Sequence, residues 1–124
     1  MKQAMRSNDG KTELTYLLDA PNACNGVCQV FMFGAKKYER NNWRRGMPYK
    51  MVADSLLRHL SAFLSGENND PESQLPHVDH MLCNAMFLAE YYRSRPEYDD
   101  RFGMCEAHQN ITETFDDDGE TRPA

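Results

Sequence analysis

His77-Val78-Asp79-His80-Met81-Leu82-Cys83-Asn84-Ala85-Met86-Phe87-Leu88-Ala89-Glu90-Tyr91-Tyr92-Arg93 is the stretch that decides the fold. Wound at 3.6 residues per turn, its apolar members from Met81 to Tyr92 cover nearly the whole circumference. A helix without a broad polar face must be enclosed, so this one is predicted as the centre of a bundle or an oligomer interface. Upstream, Tyr49 to Ser65 is amphipathic, with Val52, Leu56, Leu57, Leu60, Phe63 and Leu64 opposite Asp54, Arg58, Ser61 and Ser65. Gly66 stops that helix, and Asn68 to Pro76 turns the chain into the central one. Another helix is predicted from about Pro21 to Tyr38, where Ala23, Val27, Val30, Phe31 and Gly34 recur at helical spacing after a capping segment. Asn41 to Pro48 breaks the pattern and reads as a loop, and Asn8-Asp9-Gly10-Lys11 is a turn before a short apolar segment, Leu14 to Leu18. No segment reads as a strand. The fold class is all-α, a small bundle of three to four main helices. A chain this short cannot easily surround one helix completely, so a homo-oligomer, dimer or higher, is expected.

With 124 residues the chain suits one domain, read as 1–102, followed by an acidic tail over 103–124. From Ser94 onward nine Asp/Glu stand against three Arg, a charge of −6, which with +1 for residues 1–93 gives the net −5. Tyr98, Phe102, Met104, Ile111 and Phe115 are apolar anchors that a purely solvating tail would not need. No apolar run is long enough to span a bilayer, and the first residues lack the apolar stretch of a signal peptide, so a soluble, cytoplasmic protein with no membrane partner is expected. Cys24, Cys28, Cys83 and Cys105 lack the spacing of a zinc knuckle and read as buried free thiols.

Two clusters carry chemistry. The segment Phe33 to Gly46 contains Lys36, Lys37, Arg44 and Arg45, the side-chain amides of Asn41 and Asn42, and the only tryptophan, Trp43. Cations suit phosphate, an indole suits a base and amides suit base edges, although cations at a helix C-terminus and a core tryptophan would also account for them. The basic patch is short and the net charge negative, which disfavours long nucleic acids as partners. The second cluster is Arg58-His59, then Glu67, Asp70 and Glu72 before the central helix, then His77, His80 and Asn84 along it. At about 100° per residue the last three share an arc of about 60°. Polar groups on an apolar helix must find partners when buried, and the loop carboxylates and His59 are the nearest. Either the carboxylates cap the helix and the imidazoles form a structural network, or Glu67 and Asp70 hold Mg²⁺ or Mn²⁺ with a nucleotide as further ligand. His59, Glu72 and His80 are the candidate general bases.

In order and spacing, Asn8-Asp9-Gly10-Lys11, Phe33-Gly34-Ala35-Lys36-Lys37-Tyr38 with Asn42-Trp43, Arg58-His59, Gly66-Glu67 with Asp70-Pro71-Glu72-Ser73, and His77 with His80 and Asn84 resemble a phage-associated family over about residues 8 to 102. It is the N-terminal domain family of dATP/dGTP diphosphohydrolases, associated with the MazZ enzymes of phages that make 2-aminoadenine DNA. The resemblance implies an all-α fold related to the MazG-like pyrophosphohydrolases, oligomers that use Mg²⁺ to split a nucleoside triphosphate into monophosphate and pyrophosphate. It implies a phage protein working in the cytoplasm of an infected bacterial host. The resemblance implies that Glu67, Asp70, Glu72, His77 and His80 lie at or near the site, with Lys36, Lys37, Trp43, Arg58 and His59 facing the nucleotide. The roles expected are Glu72 and His59 as catalytic, Glu67, Asp70 and His80 as metal ligands, and Lys11, Lys36, Lys37, Asn42, Trp43, Arg44, Arg58, His77 and Asn84 as substrate-binding residues. One departure stands out. MazG-like sites add a Glu-x-x-Glu pair from an early helix, whereas Ala20 through Tyr38 contains no Asp or Glu. Loss of anionic ligands weakens a cation site. A second reading follows, a non-catalytic protein that sequesters a small nucleotide such as an immune signalling molecule. A third, an interaction module with no ligand, requires Lys36 and Trp43 to play no part in nucleotide binding.

Overall fold

The computed structural model describes residues 1–101, together with Glu113–Phe115 and Thr121–Pro123. Three α-helices build the domain: α1, Pro21–Lys37; α2, Tyr49–Leu64; and α3, His77–Ser94. Each falls within one residue of its predicted bounds. α3 packs against both α1 and α2, as its apolar circumference requires. Among the described residues nothing buries its Val78, Met86 and Tyr92, which stay exposed.

Local chemistry sets the helix ends. Proline opens α1 at its first position, where a missing N–H costs nothing. At the end of α2 the chain enters the left-handed region at Gly66, with φ of 102°. The Glu67 amide then donates to the Ala62 carbonyl and the Gly66 amide to the Phe63 carbonyl, each at 3.0 Å. This is the paired closure of a Schellman motif, and it fixes the direction in which Glu67 leaves the helix. The loop that follows is equally determined: Asp70 N–H donates to Leu75 O, Gln74 N–H to Asp70 O and His77 N–H to Asn68 O, at 2.8–2.9 Å. The α2–α3 connection is therefore a closed, hydrogen-bonded turn.

Two apolar clusters meet at Phe87. Between α1 and α3, Val27, Val30 and Cys83 are buried, with Phe31, Leu75, Leu82 and Phe87 packed on them. Between α2 and α3, Tyr49, Val52 and Tyr91 are buried, with Trp43, Met47, Leu88 and Tyr98 around them. The Tyr49 hydroxyl donates to the Tyr91 and Arg95 carbonyls at 2.8 and 3.0 Å, which fastens the start of α2 to the end of α3. Asp100 accepts from the Lys50 amide at 2.9 Å and so caps α2 from the far end of the domain. Gly26 lets α1 approach α3 closely, since a Cβ there would lie 2.5 Å from the Asp79 carboxylate.

Several expectations are refined. The Asn41–Pro48 loop contains a short 3-10 turn, Asn42–Arg45. Leu14–Asp19 is also a 3-10 turn, and its residues are all exposed. Cys83 is buried, its thiol pushed up to about 12 by burial, but Cys28 is exposed and Cys24 only partly covered, so the expectation of buried thiols fails for Cys28. Cys105 lies outside the described residues, as does most of the expected tail. Tyr98 belongs to the core rather than to a tail. Glu113–Phe115 and Thr121–Pro123 pair as a short antiparallel ladder, where no strand was expected. Local alternation over three residues is too short a signal to read from sequence. Among the described residues no helix is long and apolar enough to cross a membrane.

Candidate active site

The last turns of α2, the turn after it and the start of α3 bring five titratable side chains together. His59, one turn before the end of α2, faces His77 at the start of α3, their Nδ1 atoms 2.8 Å apart. Two N–H groups cannot face each other at that distance, so one nitrogen carries a proton and the other a lone pair. His77 Nε2 lies 2.7 Å from Glu67 Oε1. A carboxylate accepts there, so Nε2 donates, and a neutral His77 ring presents its Nδ1 lone pair to His59. His77 is buried and Glu67 is half exposed, so the pair links the interior to solvent.

His80 occupies the next position around α3. Its ring stacks on His59 with centroids 4.5 Å apart and planes within 3° of parallel, and its Nε2 lies 2.6 Å from Ser73 Oγ. Asp70 accepts from the Ser73 amide at 2.8 Å and stands 3.9 Å from His80 Nε2. Burial holds His59 below its ordinary 6.5, with the neighbouring His80 pushing the same way, and burial also lowers His80. Burial acts to raise Asp70, but the Ser73 hydrogen bonds outweigh it and hold the carboxyl below 3.8. Near neutrality the corner therefore combines uncharged His59 and His80 imidazoles with an ionised Asp70.

This corner opens on a cavity of about 970 Å³. Of the residues expected from sequence, the cavity is lined by Glu67, Asp70, Glu72, His59, His77, His80 and Asn84 together with Lys37, Asn42, Trp43 and Arg58. Lys37 Nζ contacts Glu72 Oε1 at 2.9 Å, joining the end of α1 to the α2–α3 turn. Trp43 stacks on Phe87 with centroids 4.9 Å apart, and Tyr91 O–H donates to its carbonyl. The indole is thus both a packing residue and part of the cavity wall. Asn84 donates to Ser55 Oγ at 3.2 Å and to the His80 carbonyl at 3.0 Å.

Three expected positions do not line this cavity. Lys11 lies in the exposed N-terminal turn, Lys36 is exposed in the last turn of α1 and does not line the cavity, and Arg44 borders a separate hollow with Arg45 and Arg95. Sequence reasoning passed over Ser73 and Ser55 as functional residues. Ser73 stands in the Asp70-Pro71-Glu72-Ser73 run already quoted, and Ser55 precedes His59 by one helical turn; both signals were available. Phe31, Phe87 and Cys83 also line the cavity, placed there by helix packing.

The chain belongs to the family described as dATP/dGTP diphosphohydrolase, N-terminal, whose model matches residues 1–101. That membership places it, at the coarse level, among nucleotide hydrolase domains. Comparison with curated proteins found no match, and comparison with solved structures found none.

Proposed function

We propose that this domain hydrolyses purine deoxynucleoside triphosphates to the monophosphate and pyrophosphate. The observation that carries the reading is the convergence of the imidazole–carboxylate corner with Lys37, Arg58 and Trp43 around one cavity, of a size ordinary for a cofactor-sized ligand. In this reading Lys37 and Arg58 meet the phosphates, and Trp43 with Asn42 contacts the base. Water attacks the α-phosphorus, the bond to the bridging oxygen breaks, and pyrophosphate leaves. His59 or Glu72 takes the proton of the attacking water. Glu72 is held by Lys37, so its carboxylate is released when phosphate takes the ammonium.

A divalent cation belongs to the proposal, and the donors decide which kind fits. Glu67 and Asp70, the expected oxygen ligands, already accept from His77 and from the Ser73 amide, and imidazole nitrogens stand 2.7 Å from Glu67 and 3.9 Å from Asp70. Mg²⁺ prefers an all-oxygen shell, whereas Mn²⁺ accepts nitrogen and oxygen together. The set therefore suits Mn²⁺ better than Mg²⁺. Bound there, a cation would supply charge neutralisation for the phosphates and activation of water.

We also propose assembly into a homo-oligomer, supported by the outward-facing Val78, Met86 and Tyr92 of α3 and Leu57 and Leu64 of α2. A phage origin and action in the host cytoplasm accompany the reading. The sequestration alternative is favoured by one observation: the wall that α1 contributes, from Cys28 to Lys37, holds no carboxylate. Incubation with each dNTP and Mn²⁺ or Mg²⁺ separates the two. Pyrophosphate release from dATP or dGTP is expected. No release from any purine triphosphate, with nucleotide still bound in EDTA, would replace hydrolysis by sequestration.

A further inference from the structure

His59, Asp70 and His77 each present a ligand atom within 4.8 Å of the other two. They come from α2, the α2–α3 turn and α3, so three separate backbone elements bring donor atoms to one place. The two Nδ1 atoms at 2.8 Å share a single proton. Replacing that proton with a cation needs little movement, because two nitrogens each bound at about 2.0–2.1 Å to one ion lie about 3 Å apart. Their rings are inclined by 50°, so the two are not stacked face to face.

The surrounding groups fit the same assignment. Glu67 accepts from His77 Nε2, and a carboxylate on the distal nitrogen is the usual means of fixing the tautomer of a ligating imidazole and raising its basicity. His80 is excluded as a co-ligand by geometry. Its plane is parallel to that of His59, so the in-plane lone pairs of the two stacked rings cannot meet at one ion, and its Nε2 is taken by Ser73 Oγ. Two imidazoles and a carboxylate form a donor set for first-row transition metals rather than for alkaline-earth cations.

We propose that this corner is a transition-metal site in which His59 Nδ1, His77 Nδ1 and an Asp70 carboxylate oxygen bind the ion, while Glu67 acts as a positioning residue for His77 rather than as a ligand. The inference deepens the hydrolase reading, on which it rests only for placing the ion beside substrate phosphates. Waters or phosphate oxygens complete the coordination, and with His59 committed to the ion the general base of the hydrolase reading is Glu72.

The test is titration of the EDTA-dialysed full chain with Co²⁺, Mn²⁺ and Mg²⁺ alone, followed by calorimetry and, for Co²⁺, by visible absorption. One Co²⁺ per chain is expected, with ligand-field bands, an increase in Tm, and affinity at least tenfold above that for Mg²⁺. His59→Asn should abolish the bands, and Glu67→Gln should weaken Co²⁺ binding by about 10- to 100-fold while circular dichroism stays native. If His59→Asn does not fold, Glu67→Gln and the wild-type preference for Co²⁺ over Mg²⁺ still decide. Equal affinity for Co²⁺ and Mg²⁺, Co²⁺ bands unchanged in a folded His59→Asn protein, or Co²⁺ affinity unchanged in a folded Glu67→Gln protein, would overturn the assignment. Failure of the hydrolase reading looks different: Co²⁺ binds as described and no triphosphate is cleaved.

Discussion

Lys37 and Glu72 form an ion pair at 2.9 Å that ties the last turn of α1 to the turn between α2 and α3. Both line the cavity, so the residue expected to clamp phosphate and the residue expected to act as base engage each other in the free protein. The pair is solvent-accessible and Lys37 is raised from its usual 10.5 by the Glu72 hydrogen bond. Glu72→Gln should free the ammonium and tighten a non-hydrolysable dGTP analogue by roughly two- to fivefold, the scale of an exposed pair. Lys37→Ala should weaken the same analogue. Calorimetry on both variants checks this, and unchanged binding in both would remove Lys37 from the phosphate site.

The imidazoles predict how stability follows pH in metal-free protein. His59 and His80 have folded values below 6.5, so the unfolded chain takes up protons first as pH falls. Their contribution is full above 6.5 and is lost downward through the folded values. Asp70, depressed below 3.8, adds a loss that begins near that value and continues as pH falls through its own folded value. Thermal melts in EDTA should therefore show Tm constant from about pH 8 to 7 and falling below about 6.5. His80→Asn should flatten the upper part of that fall. A Tm that rises between about pH 7 and 5.5 would contradict the neutral-imidazole corner.

Two glycines should respond in opposite directions to alanine. Gly46 has φ of 93°, and a Cβ there would lie 2.6 Å from the Tyr98 ring. Gly46→Ala should cost about 1–3 kcal/mol, because strain and overlap add. Gly34 is inside α1 with nothing within 4 Å of the added methyl, so Gly34→Ala should stabilise by about 0.5–1 kcal/mol. Urea unfolding of both variants tests the pair. A neutral Gly46→Ala would mean that the Gly46–Tyr98 packing is not tight.

Tyr91 is fully buried and donates to the Trp43 carbonyl. Tyr91→Phe leaves that carbonyl without its hydroxyl donor and should cost about 1 kcal/mol. It should also loosen the turn that carries the only tryptophan, so the emission of Trp43 should shift to the red. Fluorescence of the variant, with and without nucleotide, reports both effects. Unchanged emission in a destabilised protein would show that other contacts, Phe87 among them, position the indole.

The helices were legible because their signals are local. The apolar circumference of α3, the Pro21 start of α1 and the Gly66 stop of α2 act within a turn or two of chain, and each helix fell within a residue of its reading. Much of the site was legible too, since His77, His80 and Asn84 share a helical stripe and Glu67, Asp70 and Glu72 lie in the turn before it. The short strand pair, with only three residues per strand, was not.

Sequence by itself determined which residue types were within reach of one another: three helices, a carboxylate-bearing turn and imidazoles on facing helices. Only the tertiary structure decided which atoms meet. The helix rotation that puts Lys37 at the cavity and leaves Lys36 outside it, the stacking that sets His80 behind His59, and the commitment of Glu67 to His77 all depend on how α3 seats between α1 and α2. That seating is set by side-chain packing at Phe87, Tyr91 and Val52, contacts between residues distant in sequence, and helical periodicity carries no record of them.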